Sequence, residues 1–190
     1  MPLPLDAFIP APDVRERHST AIEAPAHIVW ATAEAFDFQS VTLIRGIIRL
    51  REILLRTSRV ARTPQPFLQE AVGMGWGVLA RTPGRLFVAG AECEPWRANV
   101  VFTPIPAADF PAWREPRRVK IAWTLEVEPL GPTSTRLATE TRAVATDPEA
   151  RQRFRQYWRW ARFGIVAIRW LMLPAIRRKA EATWRAESTA

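Results

Sequence analysis

Residues 147–185 constrain the fold more than any other stretch, because they read as one long amphipathic helix. Phe154, Tyr157, Trp158, Ala161, Ile165, Ile168, Met172 and Ile176 recur at steps of three or four. That spacing puts them on one stripe of an α-helix. Pro148 suits the first turn, where its missing N–H has no helical partner. Thr146 or Asp147 can cap the helix, and Thr146 with Glu149 has capping-box spacing. Pro174 predicts a bend or an interruption in the hydrogen bonding. A stripe of this length needs a broad apolar surface to cover.

The segments before it supply such a surface. Residues 14–22 alternate weakly, with Val14, Glu16, His18, Thr20 and Ile22 on one side, and read as an edge strand. Pro25 then opens a short helix to about residue 36. Residues 41–55 give a second helical pattern, weakened by Gly46. Residues 67–81 and 85–91 read as strands around the turn Thr82-Pro83-Gly84. Four prolines between residues 103 and 116 exclude a central strand. Those residues predict a long loop anchored by Phe110 and Trp113. Residues 118–128 and 133–145 alternate most clearly and are joined by a Gly/Pro turn, as in an antiparallel pair. On them, Val119, Ile121, Trp123, Leu125 and Val127 share a face, as do Leu137, Thr139, Thr141 and Ala143. The expected fold is α+β: an antiparallel sheet wrapped around the terminal helix, with two short helices after the first strand.

A chain of 190 residues fits one domain. The expected division is an extended segment over residues 1–13, one domain over 14–185 and a tail over 186–190. The first twelve residues lack a basic region followed by an apolar core, so no secretory leader is expected. The apolar run at 163–176 is broken by Arg169 and Pro174 and is short for a membrane span. One cysteine, Cys93, excludes an internal disulfide and suits a reducing, cytoplasmic setting. The formal charge is +8, unevenly spread. Residues 151–185 hold ten basic residues and one acidic residue, a surplus of nine, so the rest carries −1.

In this order of elements the chain resembles the START-like, or SRPBCC, superfamily, the helix-grip group that includes polyketide cyclases. The residues carrying the resemblance are Ile22-Glu23-Ala24-Pro25-Ala26-His27-Ile28-Val29-Trp30, then Thr139-Glu140-Thr141-Arg142, then the helix from Pro148. They mark architecture rather than chemistry, and the resemblance is to a branch without an assigned function. The resemblance implies a hydrophobic cavity between helix and sheet that takes a lipid-like or aromatic ligand.

Trp76, Trp123, Thr139, Thr141, Phe154 and Trp158 are the candidate ligand-binding residues. Aromatic faces and two hydroxyls would line an apolar wall, although the same residues can simply fill a core. Glu140 and Arg142 fall on the other strand face. With Tyr157 or Arg155 nearby they are the catalytic candidates, since a buried carboxylate of raised pKa can act as acid or base. An outward ion pair is the plainer reading. His18 and His27 have no partner at metal-ligand spacing, so neither a metal nor a cofactor is expected. Cys93 lacks a neighbouring cation to activate it. Gly73, Gly75 and Gly77 lack the context of a phosphate loop and suit bending or close approach.

Three functions follow. The first is binding or carriage of a small hydrophobic or amphipathic molecule. The second is a polyketide cyclase- or dehydratase-like enzyme using a polar group in the cavity. The third is contact of the basic helix with a membrane surface or nucleic acid, the latter less favoured. Neither the reaction, if any, nor the oligomeric state can be read from the sequence.

Overall fold

The computed structural model describes residues 3–37 and 66–189. Strands β1 (Val14–Ile22), β2 (Gly77–Thr82), β3 (Leu86–Cys93), β4 (Val119–Pro129) and β5 (Thr135–Ala145) form an antiparallel sheet. Its order is β1-β5-β4-β3-β2, so the first strand pairs with the last. Helix α1 (Ala26–Glu34) follows β1, and α2 (Phe67–Gly73) precedes β2. The terminal helix α3 spans Pro148–Ser188 and packs on α1, β1 and β5. This is a helix-grip arrangement, α+β in class.

Asp147 is the N-cap of α3. One of its carboxylate oxygens accepts from the Ala150 N–H at 2.7 Å, and the other accepts from the Arg117 N–H. These bonds to Ala150 and Arg117 hold its pKa below the ordinary carboxylate value. The helix continues through Pro174, which is exposed, and needs no end there. The second short helix expected at 41–55 lies outside the described residues.

Alternation sorts the side chains onto two faces of the sheet. Register is continuous along both β1–β5 and β4–β5, so no bulge exchanges the faces. The face toward α3 carries Val119, Trp123, Leu125 and Val127 from β4. Leu137, Thr139, Thr141 and Ala143 from β5 continue it.

The opposite face is covered by two segments that lack strand patterning. Residues 3–13 are not simply extended: Pro4–Ala7 form a 3-10 turn, and Leu5 and Ile9 are buried. The proline-rich loop adds Ile105 and Phe110, also buried, against Leu79, Val88 and Ala122. Gly90 makes this packing possible. A Cβ there would lie 2.6 Å from the Phe110 ring and 2.5 Å from Leu79. Gly75 has φ +98°, and a Cβ there would lie 2.2 Å from the Phe102 carbonyl oxygen. These glycines serve close approach.

Residues 67–73 are helical, not the start of a strand. Leu68 and Ala71 face the core, and their spacing of three fits a helical turn. Residues 100–102 form no named strand; Thr103 alone bridges to Glu92.

Candidate functional site

On the α3 side of the sheet, the apolar packing is divided. One cluster includes Ile22, Phe87, Trp123, Leu137, Met172 and Ile176. Another contains Val119, Ala143, Ala145, Ala150 and Phe154, with Tyr157 and Trp158 against it. Glu16 and His18 of β1 and Thr139 and Thr141 of β5 lie between the two along their strands. Above them the inward residues of α3 from Ala161 to Leu171 are only partly covered, whereas Phe154 and Met172 are buried. The helix is therefore packed tightly at both ends of the interface and less tightly over its middle.

Arg169 enters this middle zone from α3. One end of its guanidinium, Nη2, donates to Thr141 Oγ1. Nη1 is sealed from solvent and, among the described residues, has no hydrogen-bond partner. Burial pushes its pKa down to about 10, with the Glu16 charge pulling the other way. His18 Nε2 is likewise sealed and, among the described residues, without a hydrogen-bond partner; it lies 3.7 Å from Glu16 Oε2. Burial, then repulsion from Arg169, lowers the His18 pKa, and Glu16 offsets part of that. The imidazole is thus held neutral at pH 7.

A buried donor without an acceptor costs roughly 1–3 kcal/mol. Among the described residues, the zone therefore offers an unmet Arg169 N–H and an unmet His18 nitrogen on the same face of the sheet as Trp123. Trp123, Thr141 and Glu16 lie in one row across β4, β5 and β1. Trp76 packs edge-on against Trp123 at 6.1 Å and lies tilted against Phe102 at 4.6 Å. An oxygen acceptor attached to an apolar body matches both parts of this surface.

The opposite face has a different polar cluster. Glu140 Oε1 accepts from Arg142 Nε at 2.7 Å and pairs with Arg15 Nε at 2.9 Å; Oε2 accepts from Arg17 at 2.9 Å. Arg142 also donates to the Ile9 carbonyl at 2.8 Å and to Asp6 Oδ1 at 2.7 Å. The side chains of Glu140 and Arg142 are 0% and 2% exposed. Burial opposes the Glu140 charge, but the bonds from Arg142 and Arg17 prevail and hold its pKa below the ordinary value. Nearby, Lys120 donates to the carbonyls of Phe110 and Pro111 at 2.7 and 3.1 Å. Burial, with repulsion from Arg114, brings its pKa down to about 8.

The sequence candidates are distributed as follows. Trp76 and Trp123 belong to the first apolar cluster, Phe154 and Trp158 to the second, with their rings 5.8 Å apart. Thr139 and Thr141 lie between the clusters on the helix side. Glu140 and Arg142 are on the far side of the sheet from Tyr157, so these three catalytic candidates do not assemble. Glu140 and Arg142 face away from α3, as the plainer reading has it, yet they are buried, because residues 3–13 fold over them. Arg169 was not among the candidates. Its signal was its position, four residues after Ile165 and three before Met172, on the inward stripe.

An open cleft of about 430 Å³ runs along the flank of the first turns of α3, lined by Pro148, Arg151, Gln152, Arg155, Gln156 and Arg159. Arg151 is paired there with Asp13 at 2.8 Å. Among the described residues, no group of His, Cys, Asp and Glu is arranged to hold a metal ion. None of the described helices is long and apolar enough to cross a membrane.

No protein-family model and no curated protein matches the chain. Several solved structures do. A conserved protein from Geobacillus kaustophilus is 10% identical, with a TM-score of 0.38 over 87% of this chain and 96% of that one. A protein from Nitrosospira multiformis is 12% identical, with a TM-score of 0.36 over 93% and 100%. The Zhui aromatase/cyclase from Streptomyces sp. R1128 is 11% identical, with a TM-score of 0.31 over 90% and 97%. Likenesses of this strength carry neither a family nor an activity over to the chain.

Proposed function

We propose that the protein binds a small amphipathic molecule between the sheet and the middle of α3. The apolar body lies along Trp123, Ile165 and Ile168, and an oxygen acceptor meets Arg169 beside His18. The observation that carries this reading is the half-buried Arg169 guanidinium, whose Nη1 is sealed from solvent and which, among the described residues, is bonded at one end only. A cation retained at such cost has a use when an acceptor fills its second site. Thr139 and Thr141 supply further hydroxyls, while Phe154 and Trp158 close one end. Glu140 gives no support to an acid–base enzyme at this site, being charged and turned the other way.

Native mass spectrometry of the purified protein, followed by solvent extraction, tests the proposal. The expected result is a retained apolar molecule bearing a carboxylate, phosphate or carbonyl group, lost from Arg169→Met. Retention of the same molecule by Arg169→Met, at equal occupancy, would refute the assignment of the acceptor site.

A further inference from the structure

We propose that the outward face of α3 docks on an anionic phospholipid surface. Trp160, Phe163, Ala167 and Trp170 follow at steps of three, four and three, which makes a single stripe opposite the buried one. Trp160 is 63% exposed, Phe163 63% and Trp170 70%. The stripe extends about 15 Å along the helix. It is apolar along its length, and the cations lie beside and beyond it. Arg155, Arg159 and Arg162 precede or flank it, and Arg178 and Lys179 follow; all are exposed. The Arg162 guanidinium lies 4.8 Å from the Phe163 ring centroid. From residue 150 to residue 180 there is no Asp or Glu, against nine basic residues.

Rings that enter the headgroup layer, between cations that meet lipid phosphates, make the pattern of a helix lying in a bilayer interface. Each cation near an anionic surface adds to the attraction. A second copy of this chain is a poor occupant, because two such faces would bring like charges together with no acid between them. Nucleic acid fits less well, since bases stack in grooves lined by cations, whereas these rings stand along a convex helix with the cations displaced to its flanks. A planar surface of negative charge meets both parts at once.

The test is cosedimentation of the full chain with vesicles of phosphatidylcholine alone, or of phosphatidylcholine with phosphatidylserine, at low and high ionic strength. Binding is expected on the phosphatidylserine vesicles only, and is weakened by salt. The variant Trp160→Ala/Phe163→Ala/Trp170→Ala should lose about tenfold or more in vesicle affinity. Its circular dichroism should be unchanged, because the replaced side chains are exposed. Arg159→Gln/Arg178→Gln should lose about tenfold as well. No binding to anionic vesicles at low salt overturns the proposal, as does undiminished binding by the folded aromatic variant. Tighter binding to a single-stranded oligonucleotide than to the vesicles would assign the face to nucleic acid instead. A concentration-dependent dimer abolished by the aromatic substitutions would assign it to a second copy.

Discussion

Each face of the sheet meets an arginine, Arg142 buried and Arg169 half-buried, and the two are treated in opposite ways. Arg142 spends every guanidinium nitrogen: Nε on Glu140, Nη1 on the Ile9 carbonyl and Nη2 on Asp6. Burial works against its charge, but Glu140 and Asp6 raise its pKa above the ordinary value. Arg169 has Thr141 at one end and, among the described residues, no hydrogen-bond partner at Nη1, and its pKa is driven down. The outer cluster is complete within the chain. The inner one is incomplete among the described residues, and it is there that the proposed ligand would contribute its acceptor.

The sharpest test of this contrast is to delete each arginine in turn. Arg142→Ala leaves Glu140 buried with part of its pairing gone and detaches the N-terminal segment. Urea unfolding should show a loss of about 3–5 kcal/mol. A loss under 1 kcal/mol would mean that the outer network contributes no more than a surface pair. Gly90→Ala comes next, because its new methyl group must displace Phe110 or Leu79. The expected loss is about 1–3 kcal/mol, seen as a lower denaturation midpoint. Arg169→Met should instead leave the ligand-free protein unchanged, or more stable by about 1 kcal/mol, since it removes a half-paired, half-buried cation. Marked destabilisation would move Arg169 into the same class as Arg142.

Acid should separate the faces a second time. The folded-state pKa of His18 is lowered, so the unfolded chain takes up a proton first as pH falls below 6.5. Stability therefore declines from that point downward through the folded value. Glu140 is also lowered, but from 4.5. Its contribution persists above 4.5 and fades at lower pH, as the folded carboxylate is protonated. His18→Gln should abolish the earlier decline and leave the later one intact. A single decline, unaltered by that substitution, would remove His18 from the account.

Much of this arrangement is legible in the residues. β1, β4 and β5 alternate, and the side chains of Trp123, Thr139 and Thr141 follow that alternation onto the α3 face. The stripe of α3 is legible for the same reason, since its period is local. The cover of the outer face is not. Leu5, Ile9 and Phe110 belong to segments with no period, and only the three-dimensional return of the chain brings them to Ala122 and Gly90. That is why Glu140 and Arg142 read as an exposed pair. Arg169 was visible as an interruption in an apolar run, but its spacing with Ile165 and Met172 carries the more useful message: it points inward.

The pairing of β1 with β5 also bears on the order in which the protein is made. Val14 meets Ala143, and Arg17 and Glu140 face each other across the same ladder. During synthesis at about 5–20 residues per second, β1 waits roughly ten seconds for its neighbour to emerge. Residues 3–13 wait with it, because Asp6 and Ile9 bind an arginine of that last strand. The nascent chain can form the β2–β3 and β3–β4 hairpins early, but the sheet closes only near the end. Nascent-chain arrest before residue 135 should therefore leave β1 open to protease, and arrest behind an added C-terminal spacer that brings residue 188 clear of the ribosome should protect it.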